Sequence, residues 1–317
     1  MKNIDPTHPV RNPIELAIRT PMMKQILDHI DEVLFDYDSG TCLLGTHRIG
    51  KSTAMLMITE WLNSSAQRPV YCHYFSADKL EKNTIKQMYE IFCYQENITT
   101  KSNARGLDLR ELIIHRLLDR LILTGGQQIV LLIDELHRLN TEQLDALASL
   151  HDIFQRLKVN LCLIFVGNTE PALKLIEVTE DPQNRLIYGR FFENQKEIFG
   201  IRSKVELRKC LSEFDRLRYP EDGPSYTQAF VSPEAPTDWK LASLTDLMWD
   251  VYKTEFASRI TDKHRSWGMK YFISTVRTLL TFYLSSQWTD EEDVLRIMIS
   301  ECIKRSRIVP ERVSVAA

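Results

Sequence analysis

The stretch Gly45 to Thr53, GTHRIGKST, constrains what this chain can fold into more than any other. It fits GxxxxGK[ST], and it sits between the apolar run Cys42-Leu43-Leu44 and an amphipathic stretch from Lys51 to Asn63. That order of strand, loop and helix is what a phosphate-binding loop requires. The backbone of Gly45, Thr46, His47, Arg48, Ile49, Gly50, Lys51, Ser52 and Thr53 is expected to wrap a row of phosphates, with N–H groups pointing inward. Lys51 would reach the β and γ oxygens, Ser52 would offer a hydroxyl to Mg²⁺, and the glycines at 45 and 50 permit a backbone too tight for Cβ atoms.

With 317 residues the chain is long enough for one large domain and a smaller one. Its apolar content of 44% and charged content of 26% are those of an ordinary globular protein. A net charge of −3 gives no bulk attraction to a polyanion, so any contact with nucleic acid has to come from local basic segments. The six cysteines, at 42, 72, 93, 162, 210 and 302, form no CxxC pair and no cluster at zinc spacing, and read as reduced core residues of a cytoplasmic protein. No apolar run is long enough to span a membrane and the N-terminus lacks a signal-peptide pattern, so neither a membrane partner nor secretion is expected.

The order of elements predicts an α/β fold. Residues 1–13, punctuated by Pro6, Pro9 and Pro13, read as a flexible arm, and a helix is expected from Ile14 to about Phe35, with a break at Pro21. Further strands are expected at Val70–Phe75, at 129–133 (IVLLI), at Leu161–Val166 and near Glu197–Ile201. The unalternating runs among them are those of parallel strands buried on both faces. Helices are expected at Lys79–Tyr94, Asp108–Leu123, from Thr141 to about Leu157, and at Ser203–Arg218; residues 184–193 read as an irregular basic segment. A helical remainder follows, at Leu241–Phe256, Met269–Ser285 and Asp290–Lys304, after a proline-rich excursion from Tyr219 to Thr237. The predicted domains are therefore 14–202, a parallel sheet sandwiched by helices, and 203–317, a small all-helical domain carrying the excursion 219–237.

A phosphate loop alone does not separate kinases, GTPases and ATPases. IVLLIDEL places Asp134 and Glu135 at the C-terminal end of a buried strand, where ligands of open parallel sheets collect. Asp134 is expected to hold Mg²⁺ and Glu135 to polarise water for attack on a γ-phosphate. Taken alone the pair could merely cap a helix; with the phosphate loop it forms a Walker A and Walker B combination. Asn168, in VGNTEP just past the next strand, is placed to orient that water or else to serve an ordinary turn. Arg185 and Arg190, in NRLIYGRFF, offer an arginine finger toward a neighbouring subunit, or surface charge. Arg277, in ISTVRTLL, could close over the phosphates or face solvent. His137 has no second ligand at metal spacing and reads as a packed or hydrogen-bonded histidine.

Taken in order, GTHRIGKST, LLIDELHRL, VGNTEPAL, YGRFF and ISTVRTLL resemble an AAA+ ATPase, and more narrowly the TnsC/TniB transposition regulators, over about residues 14 to 305. The resemblance implies the P-loop AAA+ fold with a helical lid, ATP and Mg²⁺ as cofactors, and hydrolysis to ADP and phosphate. It also implies assembly into a ring or helical filament around double-stranded DNA, linking target-selection proteins to a transposase, with hydrolysis controlling disassembly. By resemblance Lys51, Ser52, Asp134 and Glu135 take the Walker roles, Asn168 is sensor 1, Arg190 is the finger with Arg185 in reserve, and Arg277 is sensor 2. DNA contacts fall after the second strand, where Lys79, Lys82, Lys86, Lys101 and Arg105 are interleaved with acids that make a solvated mixed surface the competing reading. Two rival functions share the core: a secretion-type ATPase of the ExeA kind, and a nucleotide switch without DNA binding.

Overall fold

The computed structural model describes residues 5–64, 70–79, 82–260 and 266–308. The chain divides into two compact units, one made of residues 25–46 and 51–198, the other of the described residues up to Lys24, His47–Gly50 and those from Phe199 onward.

The first unit is built on five parallel strands in the order β2-β3-β4-β1-β5. In chain order it comprises α1 (Pro21–Phe35, whose first turn belongs to the other unit), β1 (Gly40–Gly45), α2 (Lys51–Ser64), β2 (Val70–Ser76), α3 (Ile85–Gln95) and α4 (Gly106–Thr124). It continues with β3 (Gln128–Asp134), α5 (Thr141–Arg156), β4 (Asn160–Asn168), α6 (Thr169–Thr179), α7 (Arg185–Phe191) and β5 (Gln195–Ile198). The apolar runs of β1, β3 and β4 form the centre of the sheet and are buried along nearly their whole length, whereas β2 and β5 form its edges. Register fixes the functional geometry. Gly45, the last residue of β1, pairs with Asn168, the last of β4, and Ser76 of β2 pairs with Asp134 of β3. The residues singled out by their motifs thus emerge along one edge because parallel strands end together. Helix starts follow the caps: Asn140 and Gln143 form a reciprocal capping box at α5, and Thr84 accepts the Gln87 N–H at α3.

Several expectations shift. The first helix begins at Pro21, which suits the first helical position because its missing N–H has no partner there anyway. Helix α3 starts at Ile85, so residues 79 and 82–84 are non-helical, and residues 80 and 81 of the expected helix lie outside the described residues. The basic segment 184–193 contains a helix, α7, that buries Ile187 and Phe191. The fifth strand lies at Gln195–Ile198, and Ile201 instead forms an antiparallel bridge with Trp267 in the helical unit.

The second unit contains α8 (Lys204–Arg216), α9 (Tyr226–Phe230), α10 (Thr245–Val251), α11 (Met269–Thr278) and α12 (Glu292–Arg305), with π-helical turns at Tyr252–Phe256 and Leu279–Tyr283. Its core centres on Trp267, fully buried and stacked on Tyr252 with ring centroids 4.4 Å apart. The proline-rich excursion is packed into this unit. Asp215 of α8 accepts the Thr227 hydroxyl at 2.7 Å and the backbone N–H groups of Leu241 and Ala242 at 2.8 and 3.0 Å, tying both sides of it down while Phe230 and Val231 enter the core. The described part of the expected arm is also packed, because Val10 is buried and the His8 ring sits edge-on to Tyr219, Tyr226 and Phe230. Leu16 and Ile18 join the same core, so residues 14–24 belong with the helical unit, not with the sheet.

Edge strand β2 carries a buried polar network. Glu96 accepts from the Tyr71 hydroxyl at 2.7 Å and lies 2.6 Å from His73 Nδ1. Burial pushes the Glu96 carboxyl up, but the hydrogen bonds from His73 and Tyr71 outweigh it and hold the group at about 2. A carboxyl depressed below its unfolded value adds stability that is present above about pH 4.5 and lost as pH falls toward 2, on the order of 3 kcal/mol for this shift. Urea denaturation as a function of pH should therefore show the wild type losing more stability across that window than Glu96→Gln, which should be the less stable protein at pH 7. Equal slopes for the two would remove Glu96 from the acid response.

Candidate functional site

At the C-terminal edge of the sheet, Lys51, in the first turn of α2, is 8% exposed. Its Nζ donates to the carbonyls of Gly45 and Thr46 at 3.0 and 2.7 Å and to Asn168 Oδ1 at 2.8 Å. All three acceptors are neutral. Burial pulls the ammonium down to about 8 against the opposing influence of Asp134 and Glu135. A desolvated cation whose contacts are all neutral is a strong attractor for an anion, and a phosphate would replace these oxygens.

Beside it, Ser52 Oγ donates to Asp134 Oδ2 at 2.6 Å, and the Tyr74 hydroxyl donates to the same oxygen at 2.8 Å. Burial and the nearby Asp134 push the Tyr74 phenol well up, so it stays a donor across the accessible pH range. A hydroxyl and a carboxylate this close, both hard oxygen donors at the start of a helix, suit Mg²⁺ better than any softer metal. The backbone N–H of Glu135 binds Asp134 Oδ1 at 2.8 Å, which fixes the second carboxylate oxygen. Glu135 itself has φ 61°, in the left-handed region, an uncommon conformation for a residue with a side chain. Its carboxylate lies 3.4 Å from His137 Nε2 and 3.9 Å from Arg138 Nε.

The structure thus brings Lys51, Ser52, Asp134, Glu135 and Asn168 to one edge of the sheet. The middle of the phosphate loop, His47 to Gly50, groups with the helical unit. There the Arg48 carbonyl accepts the Lys270 N–H at 3.1 Å and the Arg48 guanidinium donates to the Tyr271 hydroxyl at 2.6 Å. Arg48 and Gly50 both have positive φ, 65° and 93°, and a Cβ at Gly50 would come within 3.1 Å of Met269 Cβ.

The arginines fall differently. Arg190 binds Asp152 at 2.8 Å within the sheet unit, whereas Arg185 is exposed at the first position of α7. Arg277 does not point its guanidinium at open space: Nε donates to the Val10 carbonyl at 2.6 Å and Nη2 to that of Arg11 at 2.9 Å, which pins the N-terminal segment inside the helical unit. Lys79, Lys82 and Lys101 are exposed, and Arg105 precedes α4 with its backbone N–H on Asp108. Lys86 pairs with Glu90 at 3.5 Å, and Gly106 lies beside its stem.

Sequence reasoning missed Tyr74, Arg138 and Tyr271. Tyr74 was legible only as a β-former in VYCHYF; its role comes from the parallel register of β2 on β3, which no local pattern encodes. Among the described residues no helix is long and apolar enough to cross a membrane, no group of His, Cys, Asp and Glu forms a further metal site, and all six cysteines are buried free thiols.

The profile of the AAA domain family matches residues 36–175. No curated protein matches the chain. Solved structures do: the Aeropyrum pernix ORC2 protein in ADPNP–ADP complexes aligns with a TM-score of 0.54 at 13% identity, covering 95% of this chain and 71% of that one. The Aeropyrum pernix ORC1 protein in complex with DNA gives 0.54 at 16% identity, covering 92% and 69%. Drosophila ORC bound to DNA gives 0.51 at 16% identity, covering 94% and 70%. At these identities the likeness is one of fold, and the fold of this chain is that of the α/β P-loop AAA+ proteins, with the AAA domain matched on the segment that carries Lys51, Asp134 and Asn168.

Proposed function

We propose that the chain is an ATPase that assembles on double-stranded DNA and regulates DNA transposition, linking target-selection proteins to a transposase. The observation that carries the catalytic half is the convergence of Lys51 Nζ on Asn168 Oδ1 and of Ser52 Oγ on Asp134 Oδ2 at one sheet edge. In this reading the loop from Gly45 to Thr53 would wrap a triphosphate, Lys51 would neutralise its β and γ oxygens, and Ser52 with Asp134 would hold Mg²⁺, which would supply charge neutralisation at the transferred phosphoryl group. Glu135 orients and deprotonates the attacking water, and Asn168 holds that water and Lys51 in register. A second copy completes the pocket with an arginine finger, and Arg185, being exposed, fits this role better than Arg190, which is engaged by Asp152. Arg277, held by the carbonyls of Val10 and Arg11, would serve as sensor 2 only by exchanging those partners for phosphate oxygens.

The DNA half is supported by the exposed basic groups Lys79, Lys82, Lys101 and Arg105 around the starts of α3 and α4, and by solved structures of similar fold that contain DNA. Contacts of this kind would be to backbone phosphates and indifferent to sequence. The narrower assignment to transposition is supported by the motifs DELH and VGN, which resemble the TnsC/TniB regulators.

Four measurements test this. Lys51→Ala should abolish binding of a fluorescent ATP analogue, and Glu135→Gln should retain binding while lowering kcat by at least about 100-fold. Equal turnover by Glu135→Gln and wild type would leave a nucleotide switch, or a different base, as the better account. Binding to a duplex of arbitrary sequence should weaken steeply with salt, each of Lys79→Ala, Lys82→Ala, Lys101→Ala and Arg105→Ala reducing the slope by about one. A flat salt response would favour the secretion-type alternative. Electron microscopy with duplex and a non-hydrolysable ATP analogue should show ordered oligomers, and persistent monomers would sink the assembly claim.

A further inference from the structure

The crest of the phosphate loop, His47 to Gly50, is bent by a residue that does not favour the bend. Arg48 has φ 65° and Gly50 φ 93°, so left-handed backbone recurs on either side of Ile49. Alternation of this kind curls successive N–H groups into an anion-binding concavity. Glycine adopts it freely, whereas a residue with a Cβ adopts it only against steric resistance. Such a conformation persists where contacts over-determine it, and those of Arg48 go to the start of α11, within the helical unit. Its carbonyl accepts the Lys270 N–H at 3.1 Å, which satisfies a first-turn donor that Gly268, at the cap, has no side chain to meet. Its guanidinium donates through Nη1 to the Tyr271 hydroxyl at 2.6 Å and lies 5.4 Å from the centroid of the same ring. The approach is close: a Cβ at Gly268 would come within 3.0 Å of the Arg48 carbonyl oxygen and 3.2 Å of Tyr271 Cδ2. Ile49, between the two left-handed residues, is buried, so the crest is anchored by an apolar side chain as well as by polar contacts.

We propose that Tyr271 is a positioning residue for the phosphate loop: through the Arg48 side chain it holds the left-handed crest in the shape that receives a polyphosphate. Tyr271 thereby supplies from outside the loop what a glycine at position 48 would supply by itself. Arginine suits the role because its planar guanidinium can donate to the hydroxyl and lie toward the ring of one residue at the same time. The Lys270 bond fixes the carbonyl of the same residue, so the backbone and the side chain of Arg48 are both referred to one helical turn. Without the hydroxyl the crest relaxes toward negative φ, and the ligand has to bend it again on binding, which lowers affinity. A concavity of N–H groups recognises phosphate oxygens and not a base, so the loss is shared by nucleotides and by inorganic tripolyphosphate. Tyr271 needs no contact with the ligand; its effect passes through Arg48. The inference rests on the reading of Gly45 to Thr53 as a triphosphate-binding loop.

The test is displacement of a fluorescent ATP analogue by inorganic tripolyphosphate, in the full chain, for wild type, Tyr271→Phe, Arg48→Gly and the double variant. Tyr271→Phe keeps the ring and removes the hydroxyl, and should weaken tripolyphosphate binding about tenfold, the scale set by one left-handed residue with a side chain. In the Arg48→Gly background, where the backbone no longer needs an anchor, the same substitution should weaken binding by less than about twofold. Arg48→Ala, which keeps the Cβ and lacks the guanidinium, should bind more weakly than Arg48→Gly. In the ligand-free protein, hydrogen exchange over residues 45–53 should be faster in Tyr271→Phe than in wild type. A general loss of packing would follow Tyr271→Phe into the glycine background, so equal losses in both backgrounds overturn the proposal. Wild-type tripolyphosphate affinity and wild-type exchange in Tyr271→Phe overturn it too, while leaving the triphosphate reading in place. If wild type binds neither the analogue nor tripolyphosphate, that reading fails first and this inference falls with it.

Discussion

A positive charge buried against neutral oxygens is the constraint around which the sheet edge is arranged. Lys51 lies in the first turn of α2, withdrawn from water, and it is tolerated there because two loop carbonyls and the Asn168 amide oxygen take its three protons. Those acceptors come from β1, the loop and β4, so their position relative to Lys51 depends on the parallel register that sets Gly45 opposite Asn168. Any slip of β4 on β1 would turn Asn168 to the other face and strand the cation. The buried apolar runs of β1, β3 and β4 hold that register; the polar site is a consequence of the apolar centre of the sheet.

The neighbouring cluster applies the same logic with the opposite sign. Asp134 ends β3 in a nearly inaccessible position, and its oxygens are met by Ser52, Tyr74 and the Glu135 N–H. A buried carboxylate without such donors would carry a desolvation cost of several kcal/mol, so each donor is structural support for Asp134. Glu135 stands in another way, in an uncommon backbone conformation with His137 Nε2 3.4 Å and Arg138 Nε 3.9 Å from its carboxylate.

The helical unit shows how far local chemistry can mislead. Prolines at 220, 224, 233 and 236 read as a linker or an irregular excursion; Asp215 gathers that segment and Phe230 enters the core. The N-terminal prolines read as an arm, yet Val10 is buried and its carbonyl accepts from Arg277. Proline reports only that a segment is not a regular helix or central strand; whether its apolar side chains find a surface to cover depends on residues far along the chain.

What the sequence by itself determined was carried by local order: five strand-forming runs, the phosphate loop, the acidic pair closing a buried strand, and Asn168 closing the next. These are legible because backbone sterics, apolar periodicity and caps act within a few residues. Tertiary structure alone decided which strands lie side by side, and so that Tyr74 meets Asp134, that Arg138 joins Ala77 to Glu135, that Arg190 is engaged by Asp152, and that Arg277 faces the N-terminal segment. The reason is physical: a side chain's partner across a sheet or within a helical core is chosen by strand register and by the burial of distant apolar surface, and neither leaves a mark on the spacing of its neighbours in the chain.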